Sequence, residues 1–142
     1  MREGIGFRLT RLRPVPIVEA EVNGVGPLRF ILDTGASMTV ITPAAAQAAG
    51  VKPTGQKPTA VGAGGASAAR LARLKRFRVG TRAVRGLQVV LLNLSHVEKP
   101  LGIQLDGIIG YNFFRNCVVT IDYPQRMLYL APSRKSTAEK PG

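Results

Sequence analysis

The sequence is short of the residues on which most enzyme chemistries depend. Among its 142 residues there is one cysteine, Cys117, which rules out an intrachain disulfide and any multi-cysteine metal site. It lies in the apolar-rich stretch Cys117-Val118-Val119-Thr120-Ile121, where a buried, inert thiol is expected. The one histidine, His96, completes neither a carboxylate–histidine–nucleophile set nor a two-histidine metal site, and it reads as a loop residue. Tryptophan is absent and aromatics make up only 6% of the chain, so the basic residues have almost no interleaved stacking partners for nucleic acid. Acidic residues number 8 against 20 lysines and arginines, a net charge of +12. That imbalance favours acidic polypeptide, anionic lipid or nucleic acid as an encounter partner, through long-range attraction rather than specific recognition. Apolar runs are short, and none approaches the roughly 18 residues that span a bilayer. Met1-Arg2-Glu3-Gly4-Ile5-Gly6 does not read as a signal peptide.

Strand signals dominate what is present. The length suits one domain with a substantial core, expected over residues 1–132, followed by a polar tail, 133–142, expected to be disordered. Val15 to Val22 is rich in β-branched residues and ends at Asn23-Gly24, a dipeptide suited to a tight hairpin turn. Val25 to Leu32 reads as the returning strand. Met38-Thr39-Val40-Ile41 reads as a short strand. Thr42-Pro43, the alanine-rich residues 44–49 and Gly50 supply the N-cap, first-turn proline and glycine stop of a short helix. Residues 52–68 are rich in Gly, Pro, Ala and Thr, as in a linker or a mobile hairpin tip. The hairpin is favoured, because neither half of the chain is comfortably sized to stand alone. From Ala69 to Arg82 two periods overlap: Leu71, Leu74 and Phe77 suit a helix, while Phe77 and Val79 alternating with Arg76 and Arg78 suit a strand. A strand with a bulge near Lys75 accommodates both. Leu87 to Leu94 reads as a strand and Tyr111 to Arg115 as one or two helical turns. Val118 to Asp122 and Met127 to Leu130 read as strands flanking a turn at Tyr123-Pro124-Gln125-Arg126.

One segment points to chemistry. The apolar run Phe30-Ile31-Leu32 is followed at once by Asp33-Thr34-Gly35-Ala36-Ser37. A carboxylate closing a buried strand is costly unless it is hydrogen-bonded, paired or used, because burial penalises its charged form. Ser37 has no base arranged for it as a nucleophile. In the second half of the chain, Gly107-Ile108-Ile109-Gly110 follows Asp106 and leads into the helix-like segment at Tyr111. Gly62-Ala63-Gly64-Gly65 matches no phosphate-binding fingerprint, so no nucleotide cofactor is implied.

An apolar strand closed by Asp-Thr-Gly-Ala, a Gly-rich hairpin and an apolar-apolar-Gly motif, in that order, resemble the retropepsin-like aspartic proteases, and most of all their single-domain bacterial members. The resemblance covers most of the chain, Pro14 to Leu130. It implies an all-β retropepsin-like acid-protease barrel with one or two short helices, acting on polypeptide as a homodimer without metal or cofactor. Asp33 is then the catalytic residue. Thr34 locks the two loops across the dimer axis, Gly35 lets the backbone approach the carboxylates, and Ala36 keeps the cleft floor open. Val61, Gly62, Ala63, Gly64 and Gly65 form the substrate-covering flap, and Ile108, Ile109 and Gly110 form the structural second motif.

Hydrolysis without a metal or a nucleophile needs a base for water and an acid for the carbonyl, and two carboxyls sharing one proton supply both. The chain has one such loop. The other aspartates are Asp106, which lacks a following Thr/Ser-Gly and reads as fixing the second motif, and Asp122, which reads as a turn residue. A twofold dimer supplies the second carboxylate from a second Asp33. The rival reading is a catalytically inactive dimeric binding module on the same fold. It would take acidic partners or nucleic acid through Arg70, Arg73, Lys75, Arg76, Arg78, Arg82 and Arg85, and it rests on charge alone. No specific nucleic acid and no membrane segment are expected.

Overall fold

The computed structural model describes residues 4–55 and 69–133. In chain order the elements are β1 (Gly4–Gly6), β2 (Arg8–Leu9), β3 (Pro16–Val22), β4 (Val25–Leu32), β5 (Thr39–Ile41) and α1 (Pro43–Ala48). They continue with β6 (Arg70–Leu74), β7 (Phe77–Val79), β8 (Arg82–Val84), β9 (Leu87–Leu91) and α2 (Ser95–Leu101). The last are β10 (Gly107–Ile109), α3 (Tyr111–Phe114), β11 (Cys117–Asp122) and β12 (Met127–Pro132). A large sheet has the order β6-β9-β5-β10-β4-β3-β7-β8, with β2 also on β3, and a small sheet has the order β1-β12-β11. The all-β expectation holds. The segments containing Val61, Gly62, Ala63, Gly64 and Gly65, and the tail after Ser133, lie outside the described residues.

Local chemistry accounts for the first half. Asn23 (φ 53°) and Gly24 (φ 83°) both take left-handed conformations, which a two-residue turn matched to strand twist requires. β3 and β4 therefore close as a hairpin, with Ile17 opposite Ile31 and Val18 opposite Phe30. At α1 the Thr42 hydroxyl accepts the Ala45 N–H at 3.2 Å, Pro43 occupies the first turn, and Ala45 and Ala46 pack inward.

Away from the Asp33 turn, the structure departs from the sequence expectation in three places. Ala69 to Arg82 holds two strands and no bulged single one: β6 pairs with β9, whereas β7 pairs with β3 and β8. The chain changes partners at Lys75-Arg76, where the Asn23 N–H donates to the Arg76 carbonyl at 2.8 Å and the Arg76 N–H donates to the side-chain Oδ1 of Asn23 at 3.0 Å. Leu74 and Phe77, whose spacing mimicked a helical period, are buried residues of different strands. β9 ends at Leu91, and a third short helix, α2, carries His96 on an exposed face where a loop was expected. Pro100 near its C-terminal end disguised that helix. Cys117 is half-buried, not buried, because β11 is an edge strand.

The site-bearing strands are clamped on both faces. β4 and β10 run parallel, with Phe30, Ile31 and Leu32 opposite Gly107, Ile108 and Ile109. Ile109, Phe30 and Leu32 face the main core, and Ile108 and Ile31 face a second cluster with Leu94, Leu101 and Leu105. Burial on both faces is why these stretches read as continuous apolar runs rather than alternating ones. Phe30, Phe77 and Phe113 stack edge to face at 5.1 and 5.2 Å, tying β4, β7 and α3 together.

Candidate active site

The sequence from Asp33 to Ala36 forms a closed turn at the tip of β4. The Asp33 N–H donates to the Ile109 carbonyl at 3.0 Å, continuing the β4–β10 ladder by one residue. The Asp33 carbonyl accepts the Ala36 N–H at 3.1 Å, and Oδ1 accepts the Gly35 N–H at 3.0 Å. A side chain that binds its own backbone two residues on is a local constraint available to Asp and Asn. The Tyr111 N–H then donates to the Ala36 carbonyl at 2.6 Å. Both ends of the turn are thus held by the second motif, which brings Asp33, Gly35, Ala36, Ile109 and Gly110 together.

Glycine in that motif answers a steric demand. A Cβ on Gly110 would lie 2.4 Å from the Met38 carbonyl oxygen, and one on Gly107 would lie 2.3 Å from both the Phe30 ring and the Val40 carbonyl oxygen. Ile108 and Ile109 are 9% and 0% exposed, so the motif is a buried prop for the turn.

Asp33, Thr34 and Gly35 are exposed and Ala36 is half-exposed. The sequence suggested a buried carboxylate, but the buried residues end at Leu32 and the turn projects beyond the sheet. The Thr34 hydroxyl has no hydrogen bond to another described residue. A single chain therefore presents a rigid carboxylate-bearing turn on an open surface. Open clefts of about 670 and 700 Å³ lie elsewhere, and neither is lined by Asp33.

Other candidates are engaged away from the turn. The Asp106 Oδ2 accepts the Arg29 N–H at 2.8 Å and its carbonyl accepts the Thr42 N–H at 2.9 Å, so it fixes the entry to β10 as expected. By strand register it sits level with Arg29, four residues before Asp33. At about 3.3 Å per residue that is about 13 Å, too far to share a proton. The Asp122 Oδ1 accepts the Gln125 N–H at 3.0 Å and closes the β11–β12 turn. Among the described residues no three His, Cys, Asp or Glu side chains gather as metal ligands, and no helix is long and apolar enough to cross a membrane.

Sequence reasoning missed Thr39 and Asn112. Thr39 is fully buried, and its hydroxyl accepts the Gly110 N–H at 3.0 Å while donating to the Asn112 Oδ1 at 2.8 Å. The Asn112 Oδ1 also accepts the Thr39 N–H at 2.8 Å, and its amide donates to the Gln88 carbonyl at 2.7 Å. The network welds β5, β9 and the start of α3 beneath the Asp33 turn. Its sequence signal was a lone asparagine two residues after the Gly-Ile-Ile-Gly motif.

This arrangement, a carboxylate turn on a curled sheet braced by an apolar-apolar-Gly strand, is the retropepsin-like fold. The profile of the aspartyl protease family matches residues 18–113, and the chain belongs to that family. Among solved structures it is similar to a retropepsin-like aspartic protease from Rickettsia conorii, at 21% identity and a TM-score of 0.65. That match covers 92% of this chain and 91% of the other. It is also similar to the retroviral protease-like domain of Ddi1 from Leishmania major, at 17% identity and a TM-score of 0.52, covering 82% and 91%. None of the curated proteins compared matches it in sequence.

Proposed function

We propose that this chain is an aspartic endopeptidase whose active site is assembled from two copies, with one Asp33 from each. The observation that carries this reading is the exposed Asp33 turn, held at both ends by the Gly107–Gly110 motif while no second aspartate of the chain reaches it. In the dimer one carboxylate takes a proton from water as the oxygen attacks the peptide carbonyl. The other, protonated, donates to the carbonyl oxygen. Collapse of the tetrahedral intermediate then returns a proton to the leaving amine. Thr34 reaches across the axis to the opposite turn, Ala36 lines the floor, and Val61, Gly62, Ala63, Gly64 and Gly65 cover an extended polypeptide.

The test is Asp33→Asn. An amide can neither take nor share the proton, so peptide cleavage is expected to fall by about 10²–10⁴-fold or more while fold and dimer persist. Wild-type turnover in a folded Asp33→Asn protein would refute the assignment. A folded wild-type dimer that cleaves no peptide would instead leave the binding-module reading, which the +12 charge favours.

A further inference from the structure

The turn between β2 and β3 is closed at its base and basic at its tip. The Thr10 N–H donates to the Val15 carbonyl at 3.1 Å, and the Thr10 hydroxyl accepts the Val15 N–H at 3.0 Å. Thr10 is itself buried, and Pro14 and Pro16 restrict the backbone on its return. Arg11, Leu12 and Arg13 stand exposed at the tip. Leu12 rests over the end of α2, where a Cβ on Gly102 would lie 3.1 Å from its Cδ1. The exposed Lys99, whose carbonyl accepts the Gly102 N–H, adds a further positive charge beside that contact.

Strand register places this tip beside the Asp33 turn. β3 and β4 pair with Ile17 opposite Ile31, so two residues on Val15 comes level with Asp33. Both strands leave the sheet at that end, β4 into the Asp33 turn and β3 into the tip at 11–13. Val15 and Ala36 pack against one apolar cluster that holds Ile31 and Ile108.

The charge at the tip is not used by the fold. Arg70, Arg73, Arg78 and Arg82 all donate to backbone carbonyls, and Arg78 also pairs with Glu21. Arg11 and Arg13 make no hydrogen bond or ion pair with another described residue. Glu98, the acid of α2, is taken by the Leu105 N–H at 2.7 Å. Two guanidinium groups are thus held next to the Asp33 turn, and their counter-charge must come from outside the described chain.

We infer that Arg11 and Arg13 set specificity, selecting polypeptides that carry aspartate or glutamate a few residues to one side of the cut bond. The inference rests on the endopeptidase reading and names the substrate class for that site. Arg13 lies two residues past the level of Asp33, about 7 Å along the strand direction, and its side chain extends the reach. Extended substrate rises about 3.3 Å per residue, so the acid falls about two to four residues from the scissile bond. Guanidinium meets carboxylate through paired N–H donors, which adds geometry to the attraction. Because both arginines are exposed, the preference is modest, about three- to tenfold, and weakened by salt.

Cleavage-site profiling tests this. The full-length protein is incubated with a complex peptide mixture, and the cut sites are read by mass spectrometry. Aspartate and glutamate are expected to be enriched about three- to tenfold at those positions over the mixture's composition, and less so at high salt. In the Arg11→Gln/Arg13→Gln protein the enrichment should vanish. In Arg11→Glu/Arg13→Glu it should turn into enrichment of lysine and arginine. Each profile is normalised to its own cuts, so a variant that folds or associates less well still reports its preference. Cuts without acidic enrichment, or enrichment unchanged in both variants, would overturn this assignment and leave the endopeptidase standing. Cuts without enrichment, together with arginine-dependent binding to anionic vesicles, would overturn it in favour of a lipid surface. No cut by the folded wild type would overturn the endopeptidase reading and this one with it.

Discussion

A methyl group at position 110 would meet the Met38 carbonyl oxygen at 2.4 Å, and the neighbour is backbone, which cannot swing aside. Gly110→Ala is therefore expected to cost about 3 kcal/mol, at the upper end for overpacking, read as a lower urea midpoint with an unchanged slope. Cleavage should fall with it, because the Asp33 turn hangs on this motif. Cys117 makes a different prediction. Partial burial pushes its thiol above the ordinary value, and the nearby Arg82 guanidinium opposes that shift. Only the thiolate is nucleophilic, so Cys117 in the native protein should react with iodoacetamide more slowly than in the urea-unfolded chain at the same mildly alkaline pH. Equal rates in the two states would contradict the burial seen here. Arg82 is itself held, donating to the Phe113 carbonyl at 3.0 Å with its guanidinium 5.1 Å from the Phe113 ring centroid.

Among the elements, α3 has influence beyond its four residues. It ties the Asp33 turn to β11, buries Phe113 and Phe114, and supplies Asn112 to the network under the site. Asn112→Ala leaves the buried Thr39 N–H and hydroxyl short of an acceptor and should cost about 2–4 kcal/mol. Thr39→Val removes the other half of the same network. The two substitutions should be non-additive by about 1–2 kcal/mol in a double-mutant cycle, whereas simple addition would mean that they act independently. Legibility in sequence varied by element for physical reasons. The β3–β4 hairpin and α1 were readable because Asn23-Gly24 and Thr42-Pro43 act through contacts within a few residues. The partner change at Lys75-Arg76 was not, because it depends on Asn23, far off in the chain. α2 was obscured by Pro100, which ordinarily marks a loop.

For the whole molecule, the two-copy site proposed above would make activity a function of association. Cleavage per chain should rise with protein concentration near the dimer dissociation constant and level off above it. A flat response down to concentrations where sedimentation shows only monomer would refute the two-copy site. Under that proposal the pH profile should be bell-shaped, since two carboxyls sharing one proton work in neither the doubly protonated nor the doubly ionised form. Part of the charge behind the net +12 is tied into the fold. Arg78 pairs with Glu21 and binds the Gly80 carbonyl, and Arg73 binds the Gly86 carbonyl at 2.7 Å. Several acids are likewise committed to backbone N–H groups: Glu98 to Leu105, Asp106 to Arg29 and Asp122 to Gln125. Arg8, Arg11, Arg13 and Arg85 are exposed to solvent.

By itself the sequence determined the local pieces: the strands flanking a positive-φ turn, the capped helix, the Asp33-Thr34-Gly35 turn and the apolar motif at Gly107–Gly110. Each is set by steric and hydrogen-bonding preferences that act over a few residues. Only the tertiary structure decided that these two motifs are parallel neighbours, that Asp106 is spent on Arg29, and that Thr39 and Asn112 lock the base of the site. It also placed Asp33 in the open and, among the described residues, put β11 at the edge of its sheet. Those outcomes depend on pairing between segments far apart in the chain, where register and packing, not local preference, choose the partner.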